Sequence, residues 1–204
     1  MSHRLETLLT RYPPLKSCAA DIAAAYALLE QTFRRDGKLL LCGNGGSAAD
    51  SDHIAGELLK GFGHARTLPK ADVKKLGGDL AKNLQGALPA IPLPQLTALV
   101  SAFGNDCDPQ YVYAQLTWGL GRAGDALLAI STSGNSANVL HAAAAAKARG
   151  MKVIGLTGAT GGKLLAQCDV CIRAPEKETF KIQEFHLPIY HCLCLMLEEE
   201  FFGK

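Results

Sequence analysis

The stretch that most constrains the fold is Lys38–Glu57, which reads KLLLCGNGGSAADSDHIAGE. It joins a short apolar run, Leu39–Cys42, to a glycine-rich turn, Gly43–Ser47, and then to a segment with helical spacing. A strand–turn–helix unit of this kind places backbone N–H groups beside a helix N-terminus, where anionic or polyhydroxylated ligands bind. The helix then carries His53 and Glu57 four residues apart, and therefore on one face. The sequence predicts a binding turn followed directly by a pair suited to acid–base chemistry or metal binding.

Apolar runs alternate with helical segments along the rest of the chain, which predicts an α/β fold. The runs are apolar throughout, as is typical of parallel strands that are buried on both faces. We expect a three-layer α/β/α sandwich around a five-stranded parallel sheet, in a single domain over residues 1–204 with a helical arm at 1–36. The predicted strands are 38–42, 87–93, 125–130, 152–156 and 169–173.

Three of the predicted helices are interrupted or closed by particular residues. A polar helix over 70–84 is expected to break at Gly77–Gly78, and a helix over 95–103 to end at the segment Gly104-Asn105-Asp106. A long closing helix is predicted over Thr179–Phe202, where Pro188 should kink or loosen it.

Composition excludes several classes of function. With 48% apolar residues the chain can build one substantial core. A net charge of +2 without a basic cluster gives no footprint for nucleic acid. Apolar runs stay well short of the ~18 residues of a membrane span, and the N-terminus lacks an apolar signal core. We therefore expect a soluble, cytoplasmic protein.

Seven cysteines in apolar surroundings suit buried thiols in a reducing compartment. Cys168 and Cys171 form a CxxC pair, and Cys192 and Cys194 offer an alternative, a four-thiolate zinc site. The first pair lies in a strand-like run and the second in an apolar helix, which favours cysteines that act as small hydrophobes.

A second polar turn, Ser131–Ser136, follows the predicted strand at 125–130 and precedes an alanine-rich helix. Hydroxyl groups and free N–H groups at a helix N-terminus form a phosphate cradle that needs no lysine or metal. The alternative is an ordinary serine cap, but four hydroxyl residues in six favour an anion site. Both polar turns follow strand ends, so they should converge on one site at the carboxyl edge of the sheet.

The first turn also fits a G-x-G-x-x-A dinucleotide pattern through Gly43, Gly45 and Ala48. That interpretation requires an acidic residue about 20 positions further on, after a second strand. The chain reads GHARTL there, without an acidic residue or a preceding strand. The sequence disfavours a nicotinamide cofactor.

The closing helix carries Gln183 and His191 eight residues apart, on roughly one face that otherwise buries leucines and cysteines. Together with His53 and Glu57 they could hold a divalent metal or form a general acid–base pair with supporting hydrogen bonds. Other polar side chains are predicted to lie outside this group: Glu184 and His186 as supporting or interface residues, and His64 and His141 at the surface.

Three segments in this order, GNGGS, STSGNS and IQEFHLPIYH, resemble the sugar isomerase (SIS) family, and within it the sedoheptulose 7-phosphate isomerases. The resemblance covers almost the whole chain. It implies a flavodoxin-like SIS fold and an aldose–ketose isomerase that interconverts sedoheptulose 7-phosphate and D-glycero-D-manno-heptose 7-phosphate through a cis-enediol. It also implies one Zn²⁺ per subunit and a homotetramer whose sites are shared between subunits.

The resemblance also implies roles for individual residues. The phosphate would be gripped by Ser131, Thr132, Ser133 and Ser136. Other substrate contacts would come from Asn44, Gly45, Ser47, Asp106 and Gln183. The zinc ligands would be His53, Glu57, Gln183 and His191, with Glu57 and His191 also the acid–base pair.

The chain departs from the family pattern in two places. It is longer between Glu57 and Asp106, and we predict an insertion over 61–90 that could cap the site or alter a subunit contact. Phe180 stands where a carboxylate could contact the substrate, a role that Thr179 could partly take over.

Two other functions stay open at this stage. One is a non-catalytic SIS module that senses a phosphosugar or binds a protein partner, although it would not need the His53–Glu57–Gln183–His191 group. The other is isomerisation of a different sugar phosphate, such as a hexose phosphate.

Overall fold

A computed structural model describes residues 2–203 of the chain. Within these residues the sheet has five strands, all parallel, which confirms the predicted architecture. The strands are β1 Leu39–Cys42, β2 Ala90–Pro92, β3 Ala126–Ser131, β4 Lys152–Thr157 and β5 Val170–Arg173.

The strand order is β2-β1-β3-β4-β5. Leu41 lies between Pro92 on one side and Leu128 on the other. Pro92 is tolerated because β2 is an edge strand, where a missing N–H donor costs no ladder hydrogen bond. From β1 the strand order runs in two directions, with β2 on one side and β3, β4 and β5 on the other. The boundary between β1 and β3 is therefore the topological switch point, where open α/β sheets bind their ligands.

The helices surround this sheet, with four short 3₁₀ segments between them in the described part of the chain. The α-helices are α1 His3–Arg11, α2 Ala19–Arg34, α3 Gly46–Leu59, α4 Lys70–Leu76, α5 Gly78–Asn83, α6 Thr97–Asp106, α7 Val112–Leu120, α8 Ala137–Ala148 and α9 Thr179–Phe202.

Two apolar layers cover the two faces of the sheet. Successive strand residues point to opposite faces, so Leu39 and Leu41 join one layer and Leu40 and Cys42 join the other. The first layer contains residues of α1, α2, α3 and α9, and the second contains residues of α7 and α8. The predicted three-layer sandwich with an N-terminal helical arm is therefore confirmed.

One of the helix predictions needs a correction. The helix over 70–84 does break at Gly77, which has a φ of 64°. However, α6 does not stop at Gly104 and continues to Asp106, because a lone glycine weakens a helix without ending it. The closing helix α9 continues through Pro188, which is buried among its neighbours.

A buried ion pair ties the segment after α3 to the closing helix. The side chains of Arg66 and Glu198 both have 0% exposure, with Arg66 Nε 2.7 Å from Glu198 Oε1. Glu198 also accepts the backbone N–H groups of Phe62, Gly63 and His64.

The remaining guanidinium nitrogens of Arg66 hydrogen-bond to the end of α3. Its two terminal nitrogens donate to the backbone oxygens of Leu58, at 2.6 Å, and Glu57, at 2.7 Å. The first part of the predicted insertion is therefore fastened beside Glu57. Across residues 2–203, no helix combines the length and the apolar character needed to cross a membrane.

Candidate active site

The two polar turns lie side by side at the carboxyl edge of the sheet. Gly43–Ser47 follows β1 and Ser131–Ser136 follows β3, and these two strands are hydrogen-bonded neighbours. Asn44 in the first turn and Asn138 in α8 exchange a pair of amide hydrogen bonds, Nδ2 to Oδ1 in each direction, at 2.9 and 2.8 Å. Asn138 was not predicted from the sequence, because its role depends on the pairing of β1 with β3.

The second turn is rich in hydroxyl groups. The hydroxyl oxygens of Ser131 and Ser136 are 3.0 Å apart, and Ser133 Oγ accepts the Asn135 N–H. Ser136 occupies the N-cap position of α8 without a side-chain cap hydrogen bond, while Asn138 Oδ1 accepts the Val139 N–H. The N-terminus of this 12-residue helix, next to the serine hydroxyl groups, can accept an anion.

Gly134 allows this turn to pack tightly against the loop after β4. It has a φ of 65°, and an added Cβ would lie 2.0 Å from the Gly161 carbonyl oxygen. Its own carbonyl accepts the Leu164 N–H, while the Asn135 side chain accepts the Lys163 N–H. The 3₁₀ segment Gly162–Gln167 therefore supports the turn from behind.

The first turn meets the closing helix at Gly46. A Cβ at this position would lie 2.4 Å from the Gln183 Nε2, so any other residue here would displace the amide. Gln183 therefore lies at the N-terminus of α3. His191, eight residues further along α9, is about 12 Å away along the helix axis.

The structure brings together the other three residues of the predicted group. His53 Nε2 is 3.4 Å from Glu57 Oε1, and the ring centroids of His53 and His191 are 5.0 Å apart. Lys60 Nζ donates to the other carboxylate oxygen of Glu57 at 2.8 Å. The described residues provide no hydrogen-bond partner for the buried Nε2 of His191. Burial, and then the nearby His53, lower the pKa of His191, against an opposite effect of Glu57.

A tyrosine and an aspartate orient His53. The Tyr190 hydroxyl donates to Asp50 Oδ1 at 3.3 Å and lies 2.9 Å from His53 Nδ1. A phenol has a single hydrogen, so when the Tyr190 hydroxyl donates to Asp50, His53 donates from Nδ1 and keeps its lone pair on Nε2. Burial raises the pKa of Asp50, and burial and then Asp50 raise the pKa of Tyr190. Asp50 and Tyr190 each lie within one helical turn of a predicted metal ligand. This short spacing is the sequence signal that could have identified them.

The donor set fits a zinc ion in its chemistry. The lone pair of His53 Nε2 and the Glu57 carboxylate are two acceptors that face each other, an arrangement that a cation stabilises, and His191 adds an unpartnered nitrogen. A closed cluster is not formed, since no group of three or more His, Cys, Asp or Glu within residues 2–203 is arranged to hold a metal. Gln183 would have to turn away from Gly46 to join these donors.

Three further predicted substrate contacts differ in their exposure. Gly45 is exposed in the first turn, whereas Ser47 has only 4% exposure. Thr132 is partly buried and uses its carbonyl oxygen to accept the Gly158 N–H. Asp106 is exposed at the end of α6 and accepts a hydrogen bond from Asn105.

The remaining predicted polar residues lie around this group. Thr179 and Phe180 are exposed at the start of α9. His186 is fully buried, 3.2 Å from the Thr157 carbonyl oxygen, and burial lowers its pKa to about 4. His64 is exposed, as predicted, while His141 is partly buried and stacks on Tyr111.

The alternative four-thiolate zinc site is not formed. Cys168 and Cys171 lie together beside Gly155. Cys192, in contrast, donates to Met196 Sδ within α9, and Cys194 is buried in the core on the other face of the sheet. The described residues contain no cysteine cluster of metal-binding geometry.

Comparison with known proteins identifies the family. A family model of the SIS domain matches residues 61–158. The phosphoheptose isomerase of Alkalilimnicola ehrlichii is 39% identical over 206 residues, which cover 100% of this chain and 95% of that protein. The chain belongs to the phosphoheptose isomerase family. The family member from Rhodospirillum rubrum is 41% identical over 185 residues, 91% of this chain and 88% of that protein.

A solved structure of this family has the same fold. The phosphoheptose isomerase of Neisseria gonorrhoeae superposes with a TM-score of 0.77 at 36% identity, covering 95% of this chain and 94% of that one. The resemblance carried by the three sequence segments is therefore confirmed for the family and for the fold.

Proposed function

We propose that the protein is an aldose–ketose isomerase that interconverts sedoheptulose 7-phosphate and D-glycero-D-manno-heptose 7-phosphate through a cis-enediol. The observation that supports this most strongly is the grouping of His53, Glu57 and His191 on α3 and α9, the two helices that also meet at the first polar turn through Gly46 and Gln183. Identities of about 40% to phosphoheptose isomerases over nearly the full chain favour this reaction over a non-catalytic phosphosugar module.

The Ser131–Ser136 turn would hold the phosphate. Its hydroxyl groups and the N-terminus of α8, which the Ser136 side chain does not cap, offer donors to a dianion without a charged side chain. Asn44 and Gly45, exposed in the neighbouring turn, would contact the sugar hydroxyl groups. Asp106 and Thr132 are further proposed contacts. Holding the phosphate fixes the distant reacting carbons, and such positioning lowers the entropic part of the barrier.

Glu57 and His191 would move the protons. Glu57 takes the carbon-bound proton from C1 of the ketose and returns it to C2, while His191 Nε2 transfers a proton between the two oxygens. This nitrogen has no hydrogen-bond partner among the described residues, so it is free to exchange a proton with the substrate. General acid–base groups of this kind each contribute about 10²–10⁴ in rate.

We also propose that His53, Glu57, Gln183 and His191 hold a Zn²⁺ ion. When bound, zinc would polarise the substrate carbonyl as a Lewis acid. The Asp50–Tyr190 pair would keep His53 in the tautomer that presents Nε2. Lys60, 2.8 Å from Glu57, would balance the charge of that carboxylate.

We further propose a cytoplasmic homotetramer with sites at the subunit interfaces. Exposed apolar side chains near the group support this, since Phe180 and Leu187 on α9 are 57% and 42% exposed. Light scattering after size-exclusion chromatography measures the number of subunits, and a monomeric particle would contradict a shared site.

One assay tests the function. Purified protein is incubated with sedoheptulose 7-phosphate, with and without a chelator, and the aldoheptose 7-phosphate is measured. We expect Glu57→Gln to lower kcat by about 10²-fold or more with little change in substrate binding. The control Asp52→Asn removes an exposed carboxylate from the same helix and should stay active. Binding without turnover in the unmodified protein would instead support the non-catalytic module.

A further inference from the structure

The pair Cys168 and Cys171 forms a dithiol next to the support of the serine turn. A Cβ added at Gly155 would lie 2.7 Å from Cys168 Sγ and 3.0 Å from Cys171 Sγ, so both sulfurs occupy the space above this glycine. Gly155 in β4 is the register partner of Cys171 in β5, and its missing side chain leaves room for both sulfur atoms.

The two sulfurs have different surroundings. Cys168 is partly exposed and its thiol donates to the Leu164 carbonyl oxygen at 3.1 Å, and the neighbouring Cys171 and then burial raise the pKa of Cys168. Cys171 has 7% exposure and lies 3.6 Å from the Thr157 hydroxyl. The neighbouring Cys168, then Thr157 and the charge of Arg173, lower the pKa of Cys171 to about 7, against the opposite effect of burial.

Other buried cysteines of the chain lack these features. Burial raises the pKa of Cys42, Cys192 and Cys194 to about 12 in each case, which leaves them as unreactive thiols. Reactive cysteines combine thiolate character, access and a neighbouring thiol that resolves the oxidised form. Cys171 with Cys168 meets these conditions together.

We propose that Cys168 and Cys171 are a modification site that hydroperoxides oxidise to a reversible disulfide. The Cys171 thiolate attacks the peroxide oxygen, forming a sulfenic acid and releasing hydroxide. The Cys168 thiol then attacks the Cys171 sulfur, the S–S bond forms, and the sulfenic oxygen leaves as water. With hydrogen peroxide, two thiols lose two electrons and two protons in total, and the peroxide is reduced to two molecules of water.

Oxidation at this pair would act on the phosphate turn. Cys168 ends the 3₁₀ segment Gly162–Gln167, whose Leu164 and Lys163 N–H groups hold Gly134 and Asn135. A disulfide takes the Cys168 sulfur away from the Leu164 carbonyl oxygen. The segment then shifts against the Ser131–Ser136 turn, and phosphate binding weakens. This second part rests on the proposed function.

The first test is chemical and does not depend on activity. The folded protein is treated with hydrogen peroxide, then denatured and alkylated, and peptides are mapped by mass spectrometry. We expect a mass loss of about 2 Da and a peptide that bridges Cys168 and Cys171, reversed by dithiothreitol. Both cysteines remaining alkylatable while the exposed Cys107 is oxidised would overturn the proposal.

Variants sharpen this result. Cys168→Ser keeps Cys171 but removes the resolving thiol, so oxidation should stop at a sulfenic acid that dimedone traps. Cys192→Ser, which changes a buried thiol on the other face of the sheet, should leave the bridge intact. The absence of a dimedone adduct on Cys171 in Cys168→Ser, under conditions that form the bridge in the unmodified protein, would refute the assignment.

The second test measures kinetics of the oxidised and reduced protein with sedoheptulose 7-phosphate. We expect oxidation to raise KM about threefold or more, with kcat within about twofold, and no such change in Cys168→Ser. An unchanged KM with the bridge formed would refute the link to the turn. If the reduced protein does not isomerise the sugar, the proposed function fails. The effect of the disulfide on the turn is then measured as the change in affinity for inorganic phosphate between reduced and oxidised protein.

Discussion

Replacing Arg66 with methionine tests the contact that fastens the segment after α3. Arg66 and Glu198 have 0% side-chain exposure, and methionine keeps the apolar contact with Phe202, whose ring lies 4.8 Å from the Arg66 guanidinium carbon. The substitution removes the positive charge and leaves the Glu198 carboxylate buried. Removing one partner of a buried ion pair costs about 3–5 kcal/mol.

If only the buried carboxylate is considered, the loss of unfolding free energy in Arg66→Met lies at the lower end of this range. Glu198 keeps three backbone N–H donors, at 2.6 to 3.1 Å, which compensate part of its charge. The carbonyl oxygens of Glu57 and Leu58 also lose their guanidinium donors, however, and each unmet group costs about 1 kcal/mol or more. We therefore expect a loss of about 3–5 kcal/mol, which lowers Tm by roughly 6–20 °C for a chain of this size.

Urea denaturation followed by circular dichroism measures the free energy of unfolding. The matched control is Lys74→Met, which removes an exposed cation from α4 and should change the free energy by less than about 0.5 kcal/mol. Because Arg66 also holds the Glu57 backbone, kcat should fall about tenfold or more with KM little changed. If Arg66→Met lowers the free energy of unfolding by less than about 1 kcal/mol, the reasoning is refuted, because exposed ion pairs already contribute that much.

Three further predictions follow from the same contacts. Burial raises the pKa of Glu198, but hydrogen bonds from Phe62, Gly63 and Arg66 outweigh it and lower the pKa below its ordinary 4.5. The contribution of Glu198 to the free energy of unfolding is therefore complete above pH 4.5 and is lost as the pH falls through the pKa of the folded state. In urea titrations at several pH values, Glu198→Gln should remove this part of the acid dependence. Ser136→Ala should raise KM by about 2–12-fold, the equivalent of one hydrogen bond, with kcat retained; a selective loss of kcat would argue against a phosphate role. Tyr190→Phe should weaken zinc binding by about 10–100-fold in competition with a chromophoric chelator, and unchanged affinity would show that Tyr190 does not orient His53.

The fold was predictable because its signals are local. Apolar runs bounded by glycine turns indicated all five strands, and Gly77 indicated the break between α4 and α5. Helix α6 was predicted too short because a lone glycine resembles a stop, although the surrounding contacts keep Gly104 helical.

The site was only partly predictable because its contacts join distant segments. His53 and Glu57 reveal their pairing through helical spacing. Arg66 and Glu198 are 132 residues apart, and nothing in the composition around either residue indicates that they meet. Similarly, spacing alone placed Gln183 on the face of His191, but it could not show that the amide packs against Gly46.

The packing of α9 has a consequence for how the protein folds. Its contacts with α1, α2 and α3 join parts of the chain far apart in sequence, and the His53–Tyr190 hydrogen bond spans 137 residues. Because closing such long loops costs entropy before contacts repay it, we expect α9 to dock late. A folding intermediate with the sheet formed but α9 undocked would already carry the serine turn, yet it would lack His191 and expose Ile189, Leu193 and Leu197. Such a species could bind phosphate without isomerising a sugar, and its uncovered apolar face would make it the form of the chain most prone to aggregate.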